Sequence, residues 1–136
     1  MSRASQVLTK GECYIFEIRF FKDRNGNEPV LDYIRSLESW TDKDSRIRLS
    51  KINDYIQILS AYGTYAGEPY LKHIEGNLWE LRPLRDRIFF VGWDDNSFVL
   101  LHHFLKRTQK TPKREIEQAK RELAYLQKKG LDDEEK

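Results

Sequence analysis

Three apolar runs stand almost end to end past the middle of the chain: LWELRPL (78–84), RIFFVGW (87–93) and FVLLHHF (98–104). Only Arg85-Asp86 separates the first two, and Asp94-Asp95-Asn96-Ser97 the next two. Each run has the length and the aromatic and branched content of a strand, and a parallel neighbour needs a crossover of a dozen or more residues. The gaps leave room only for hairpins, so the spacing predicts an antiparallel meander and excludes parallel βαβ winding. YLKHI (70–74) adds a further strand at its start.

A sheet of this kind must cover an apolar face, and the earlier half of the chain supplies the cover. YIFEIRFF (14–21) alternates, with Phe16, Ile18 and Phe20 on one side and Glu17 and Arg19 on the other, the period of a half-buried strand. DRNGNEP then turns the chain. Pro29 suits a first helical turn, and Val30, Leu31, Ile34 and Leu37 form one stripe of a short helix. Thr41 with Asp44 predicts a capping box for a second helix, whose stripe Leu49, Ile52, Ile56 and Leu59 runs to a stop at Gly63. Beyond the meander, Thr111-Pro112 reads as N-cap and first helical position, followed by the stripe Ile116, Ala119, Leu123 and Leu126 down to Gly130. The order is β-α-α-β(β)ββ-α, an α+β fold in a single domain spanning 1–136. Its core runs from about 14 to 129, between a frayed N-terminus and the acidic tail LDDEEK.

A chain of 136 residues, 39% hydrophobic, buries a core without covalent staples. Cys13 is the single cysteine, so there is no internal disulfide, and no Cys/His spacing of the zinc type occurs. No signal-peptide core and no membrane-length apolar run is present, which predicts a soluble, cytoplasmic protein without membrane partners. There is no P-loop and no nucleophile motif, and no cofactor is expected. With 24 Lys+Arg against 22 Asp+Glu the net charge is only +2, so any basic signal must be local.

It is local. KRTQKTPKR (106–114) holds Lys106, Arg107, Lys110, Lys113 and Arg114 with no acid among them. In LWELRPL the alternation turns Trp79 and Leu81 toward the helices and Glu80 and Arg82 to the opposite face, with Arg85 and Arg87 around the next turn. A paired meander therefore brings Arg82 beside the cations that follow the last strand, on a concave basic surface. His102 and His103 point to opposite sides, and His102 shares parity with Lys106, which makes it the open-face candidate unless a bulge intervenes.

The residues LWELRP, RIFFVGW and LLHHFLKRTQKTPKREIEQAKRE resemble the HigB-like toxins of type II toxin-antitoxin pairs, within the RelE/ParE superfamily, from about Tyr14 to Glu122. The most specific part is Leu100, Leu101, His102, Phe104, Lys106, Arg107, Thr108, Lys110, Thr111 and Pro112. The resemblance implies two N-terminal helices on an antiparallel sheet with a C-terminal helix, and a ribosome-dependent endoribonuclease that cuts mRNA without a metal. It also implies a helix-turn-helix antitoxin, HigA-like, as partner, and operator DNA bound only through that antitoxin.

By the same resemblance Arg82 matches an arginine that contacts the scissile phosphate, and Arg107 or Lys106 the basic residue after the last strand. Lys110, Arg85, Arg87 and Lys72 are expected on the RNA backbone. Lys113 and Glu80 stand where some members carry tyrosine or lysine, so those roles do not transfer. For proton removal the candidates are His102, since an imidazole titrates near neutrality, and Glu80, which shares a face with Arg82. A ParE-like gyrase poison and a non-catalytic RNA- or DNA-binding module are the alternatives.

Overall fold

A computed structural model describes residues 16–131; Cys13, the start of the first strand run and residues 132–136 of the acidic tail lie outside the described residues, whereas Leu131, expected in the frayed tail, is buried in the core. The order is β1 (Glu17–Phe20), α1 (Pro29–Glu38), α2 (Lys43–Tyr62), a 3-10 turn (Gly63–Ala66), β2 (Leu71–Glu75), β3 (Leu78–Leu81), β4 (Asp86–Asp94), β5 (Ser97–Leu105) and α3 (Lys113–Lys129). β2 to β5 form the meander expected from their short connections. The sheet as a whole is mixed, however, in the order β1-β5-β4-β3-β2. β1 pairs in parallel with β5, from Glu17 opposite Ser97 to Phe20 opposite Leu100. The expectation of a purely antiparallel sheet is corrected at this edge: β1 reaches β5 only after the helical hairpin and three further strands, a connection that local spacing does not reveal.

Both faces of the sheet are clad. On one side α1 and α2 bury Val30, Leu31, Ile34, Leu37, Ile52 and Ile56 against Ile18, Leu81, Ile88, Phe90 and Leu100. On the other, α3 lays Ala119 and Leu126 over Phe89, Val91, Val99 and Leu101. The face opposite the helical hairpin was expected to be open, and α3 covers it. The stripe on α3 is an ordinary amphipathic one, and a sheet whose second face carries Phe89, Val91, Val99 and Leu101 requires such a cover. Among the described residues no helix is long and apolar enough to cross a membrane.

The starts of α2 and α3 fall one position away from those expected. Asp42, not Thr41, caps α2, its carboxylate accepting the Ser45 backbone N–H at 3.0 Å. At α3 the cap position is Pro112, and the Thr111 hydroxyl turns instead to Glu80. Gly63 does end α2, with φ +61° and its N–H on the Leu59 carbonyl. A Cβ there would stand 2.7 Å from Phe16 Cε2. Gly63→Ala therefore combines a backbone conformation reserved for glycine with overpacking, and unfolding in urea should show a loss of about 2–4 kcal/mol; an unchanged midpoint would refute the packing described.

Candidate functional site

The turn from β3 to β4 and the segment following β5 meet at one end of the sheet. Lys106 donates its backbone N–H to the Arg85 carbonyl at 2.8 Å, so the strand end is stitched to the turn. Between them lies a hollow of about 830 Å3 walled by Arg85, Arg87, Lys106 and Arg107, with Leu84, Leu105, Thr108 and Gln109 completing it. Four cations and no acid line it. Such a hollow attracts anions, and arginine can grip phosphate oxygens with two parallel hydrogen bonds.

The four cations are not equivalent. Arg107 and Arg85 are exposed and Lys106 is half-buried. Arg87 is buried, and its guanidinium donates to the carbonyls of Leu84 (2.7 Å) and Asp86 (2.9 Å). Burial lowers its pKa, with Glu80 opposing and Arg82 adding to that shift. Arg87 thus fixes the turn from beneath, where the sequence placed it on the RNA backbone.

Arg82 does not line the hollow. It is half-buried one step behind, its Nε 3.5 Å from Glu80 Oε1 and its charge acting on Arg87. The expected convergence of Arg82 with the pair after β5 is met only through Arg87. Glu80 was expected on an open face and is instead fully buried, with Oε2 accepting from the Thr111 hydroxyl at 2.9 Å. A carboxylate enclosed in this way anchors Arg82 and the 106–112 segment.

His102 faces away from the helical hairpin, as its parity predicts. A bulge between the pairs Phe89–His102 and Phe90–Leu100 leaves Leu101 without a partner of its own on β4. His102 nevertheless does not sit on an open face: α3 closes over most of it, leaving the side chain 17% exposed, with Glu115 Oε1 2.7 Å from Nε2 and Glu122 Oε1 3.8 Å from Nδ1. Phe89 and Phe104 are stacked near its ring. Burial raises the Glu122 pKa. His102 ties α3 to the sheet. Lys110 is exposed in the loop before α3, and Lys72 is exposed on edge strand β2 opposite Glu80. Neither borders the hollow. Among the described residues no group of three His, Cys, Asp or Glu side chains is gathered to hold a metal.

The sequence reading missed the strongest electrostatic feature of this end. Asp86, treated as one half of a two-residue turn, is buried on the helical-hairpin side with its side chain 1% exposed. Its Oδ1 accepts from Tyr33 Oη (2.7 Å) and Arg48 Nη2 (2.9 Å) and lies 2.9 Å from His103 Nε2, while Oδ2 accepts from Arg48 Nε at 3.2 Å. Arg48 also donates to the Tyr33 hydroxyl, and His103 stacks on the Tyr33 ring at 3.6 Å between centroids. The only sequence signal was a pair of charged and aromatic residues, Tyr33 and Arg48, that leave the apolar stripes of their helices.

Burial by itself would push Asp86 up, but the hydrogen bonds from His103, Arg48 and Tyr33 and the Arg48 charge outweigh it and hold the carboxyl well below the usual carboxylate range. Tyr33 moves the other way, raised by burial and by its bond to Asp86, and so stays a donor. Arg48 is raised by its bond to Asp86.

Residues 38–124 match the family described as Phage derived protein Gp49-like (DUF891). The chain belongs to the Gp49-like family. This family is associated with the toxins of toxin-antitoxin pairs, of the RelE/HigB kind in general. The matched span runs from the end of α1 to α3 and takes in every wall of the hollow. No curated protein matches the chain.

The Asp86 network yields a stability prediction with a pH signature. Asp86→Asn removes the buried charge that compensates Arg48 and should cost about 3–5 kcal/mol at neutral pH. A depressed carboxyl stabilises the fold fully above its unfolded pKa of about 3.9 and loses that contribution as pH falls toward its folded value. The gap between wild type and Asp86→Asn in urea unfolding should therefore be widest above about pH 4 and shrink below it. A gap that widens in acid would contradict the assignment.

Proposed function

We propose that this Gp49-like protein is the toxin of a toxin-antitoxin pair and acts as a HigB-like, ribosome-dependent mRNA endonuclease, the basic hollow taking the phosphodiester to be cut. The acid-free set of Arg85, Arg87, Lys106 and Arg107 at one end of the sheet carries this reading. In the proposed reaction the 2′-oxygen of the message attacks the adjacent phosphorus, a base takes the 2′-OH proton, and the bond to the 5′-oxygen breaks. That oxygen leaves with a proton, and a 2′,3′-cyclic phosphate remains. This route needs no metal. Arg107 and Lys106 would bear on the phosphoryl oxygens as charge develops, Arg85 on a flanking phosphate, and Arg82 would support them from behind.

Glu80 and His102 are both engaged in holding α3 and the 106–112 segment, which argues for a weak base at best. Positioning contributes more to such a reaction than a general base does. An enzyme that borrows its alignment from the ribosome tolerates a poor base and is idle on free RNA. A helix-turn-helix antitoxin is the proposed partner, with operator DNA bound through it.

In a translation reaction containing ribosomes, the protein should generate new 3′ ends within the message. Arg107→Gln, exposed and therefore safe for the fold, should lower cleavage by about 10²–10³-fold, and Lys110→Gln, outside the hollow, by much less. Messages left intact at doses that stop translation would sink the nuclease reading, and double-strand DNA breaks in cells would point to a gyrase poison instead.

A further inference from the structure

Leu84 carries an observation that the basic hollow does not explain. Its φ is +55°, and it alone among the described residues other than glycine has a positive φ. The left-handed region costs a branched aliphatic residue free energy that glycine or asparagine would largely avoid. Leucine there would be understandable if its side chain were filling the core, but the residue is 47% exposed. The side chain lies at the hollow among Arg85, Arg87, Lys106 and Arg107.

The turn is also fixed firmly. Arg87 donates to the Leu84 carbonyl, the Asp86 backbone N–H donates to the Pro83 carbonyl at 3.0 Å, and the Lys106 backbone N–H to that of Arg85. Unfavourable backbone geometry, retained by three hydrogen bonds, holds an apolar group out toward solvent among cations. Strain kept in this way is found where a side chain has a task outside the protein's own packing.

We propose that Leu84 is a base-contacting residue: it packs against the face of a nucleobase of single-stranded RNA whose flanking phosphates rest on Arg85, Lys106 and Arg107. This rests on the reading of the hollow as an RNA site and names what lies between the phosphates. A single strand alternates anionic phosphates with flat apolar faces at the spacing of one nucleotide, and single-strand sites combine a cationic groove with side chains, usually aromatic, on which the bases stack; Leu84 offers an aliphatic surface in that place. The volume of the hollow, about 830 Å3, is that of an open cleft with room for a small organic ligand. Because every base has an apolar face, such a contact holds the strand in register without choosing a sequence.

The test sets two variants that accept a positive φ beside one whose side chain keeps the same strain. Leu84→Gly and Leu84→Asn both remove the apolar group and relieve the backbone, whereas Leu84→Met keeps an apolar side chain. Binding is measured at low salt with a fluorescent single-stranded RNA heptamer and with the same heptamer lacking its central base. Wild type and Leu84→Met should bind the intact heptamer about 3- to 10-fold more tightly than the abasic one. Leu84→Gly and Leu84→Asn should bind the two alike, with a melting temperature no lower than that of wild type.

Equal binding of both heptamers by wild type, or an undiminished preference in the glycine and asparagine variants, overturns the proposal and would hand Leu84 to an acidic protein segment instead. A marked fall in melting temperature in those variants overturns it as well, since Leu84 would then be serving the fold. Cleavage in the ribosome-containing reaction is read separately. Wild type that shows base preference but cuts no message removes the nuclease and leaves the Leu84 contact standing; wild type that cuts but shows no base preference does the reverse.

Discussion

The buried carboxylate of Asp86 gathers the structure at one end. Tyr33 from α1, Arg48 from α2 and His103 from β5 all close on a side chain at the start of β4. The αα-hairpin is therefore attached to the sheet electrostatically as well as by its apolar stripe. Removing two opposite charges from water is costly, and the attraction between them repays that cost only where geometry and additional hydrogen bonds are good. Here one oxygen receives three partners and the other receives one. The consequence for the hollow is direct: Arg85 and Arg87 flank Asp86 in sequence, and their backbone is held in place by it.

The two claddings of the sheet explain why the basic hollow lies at its end. Helices α1 and α2 cover one face and α3 the other, so neither face offers a broad open surface. What remains accessible is the rim where the β3–β4 turn meets the segment between β5 and α3. Cations placed there escape the desolvation that a position within the sheet would impose. Arg87 shows the boundary, since it lies at the hollow yet spends its guanidinium on two carbonyls of the turn.

Much of this was legible from periodicity. The stripes on α1, α2 and α3, the meander with its extra strand β2, and the cluster after β5 all follow from short-range spacing, because a strand or helix buries residues at fixed intervals. The parallel seating of β1 on β5 was not, since nothing near Glu17 points to Ser97. The cover over the second face was missed for a related reason: the stripe on α3 was read, but not the sheet face that it needed. Glu80 and His102 were accordingly assigned to an open surface on correct alternation. Asp86 was hidden by brevity, because a charged residue in a two-residue gap reads as a solvated turn. The relation of Arg82 to Arg107 passes through Arg87, which no strand parity encodes.

The partnership of β1 with β5 sets a timetable. A ribosome delivers Glu17 long before Ser97, and in between it delivers the whole hairpin of helices and three strands. β1 must wait beside an incomplete sheet for β5, the one strand it pairs with among the described residues, a non-local closure of the slow kind. Closure of the sheet thus waits on β5, by which time the helical hairpin and the strands β2 to β4 have already been made.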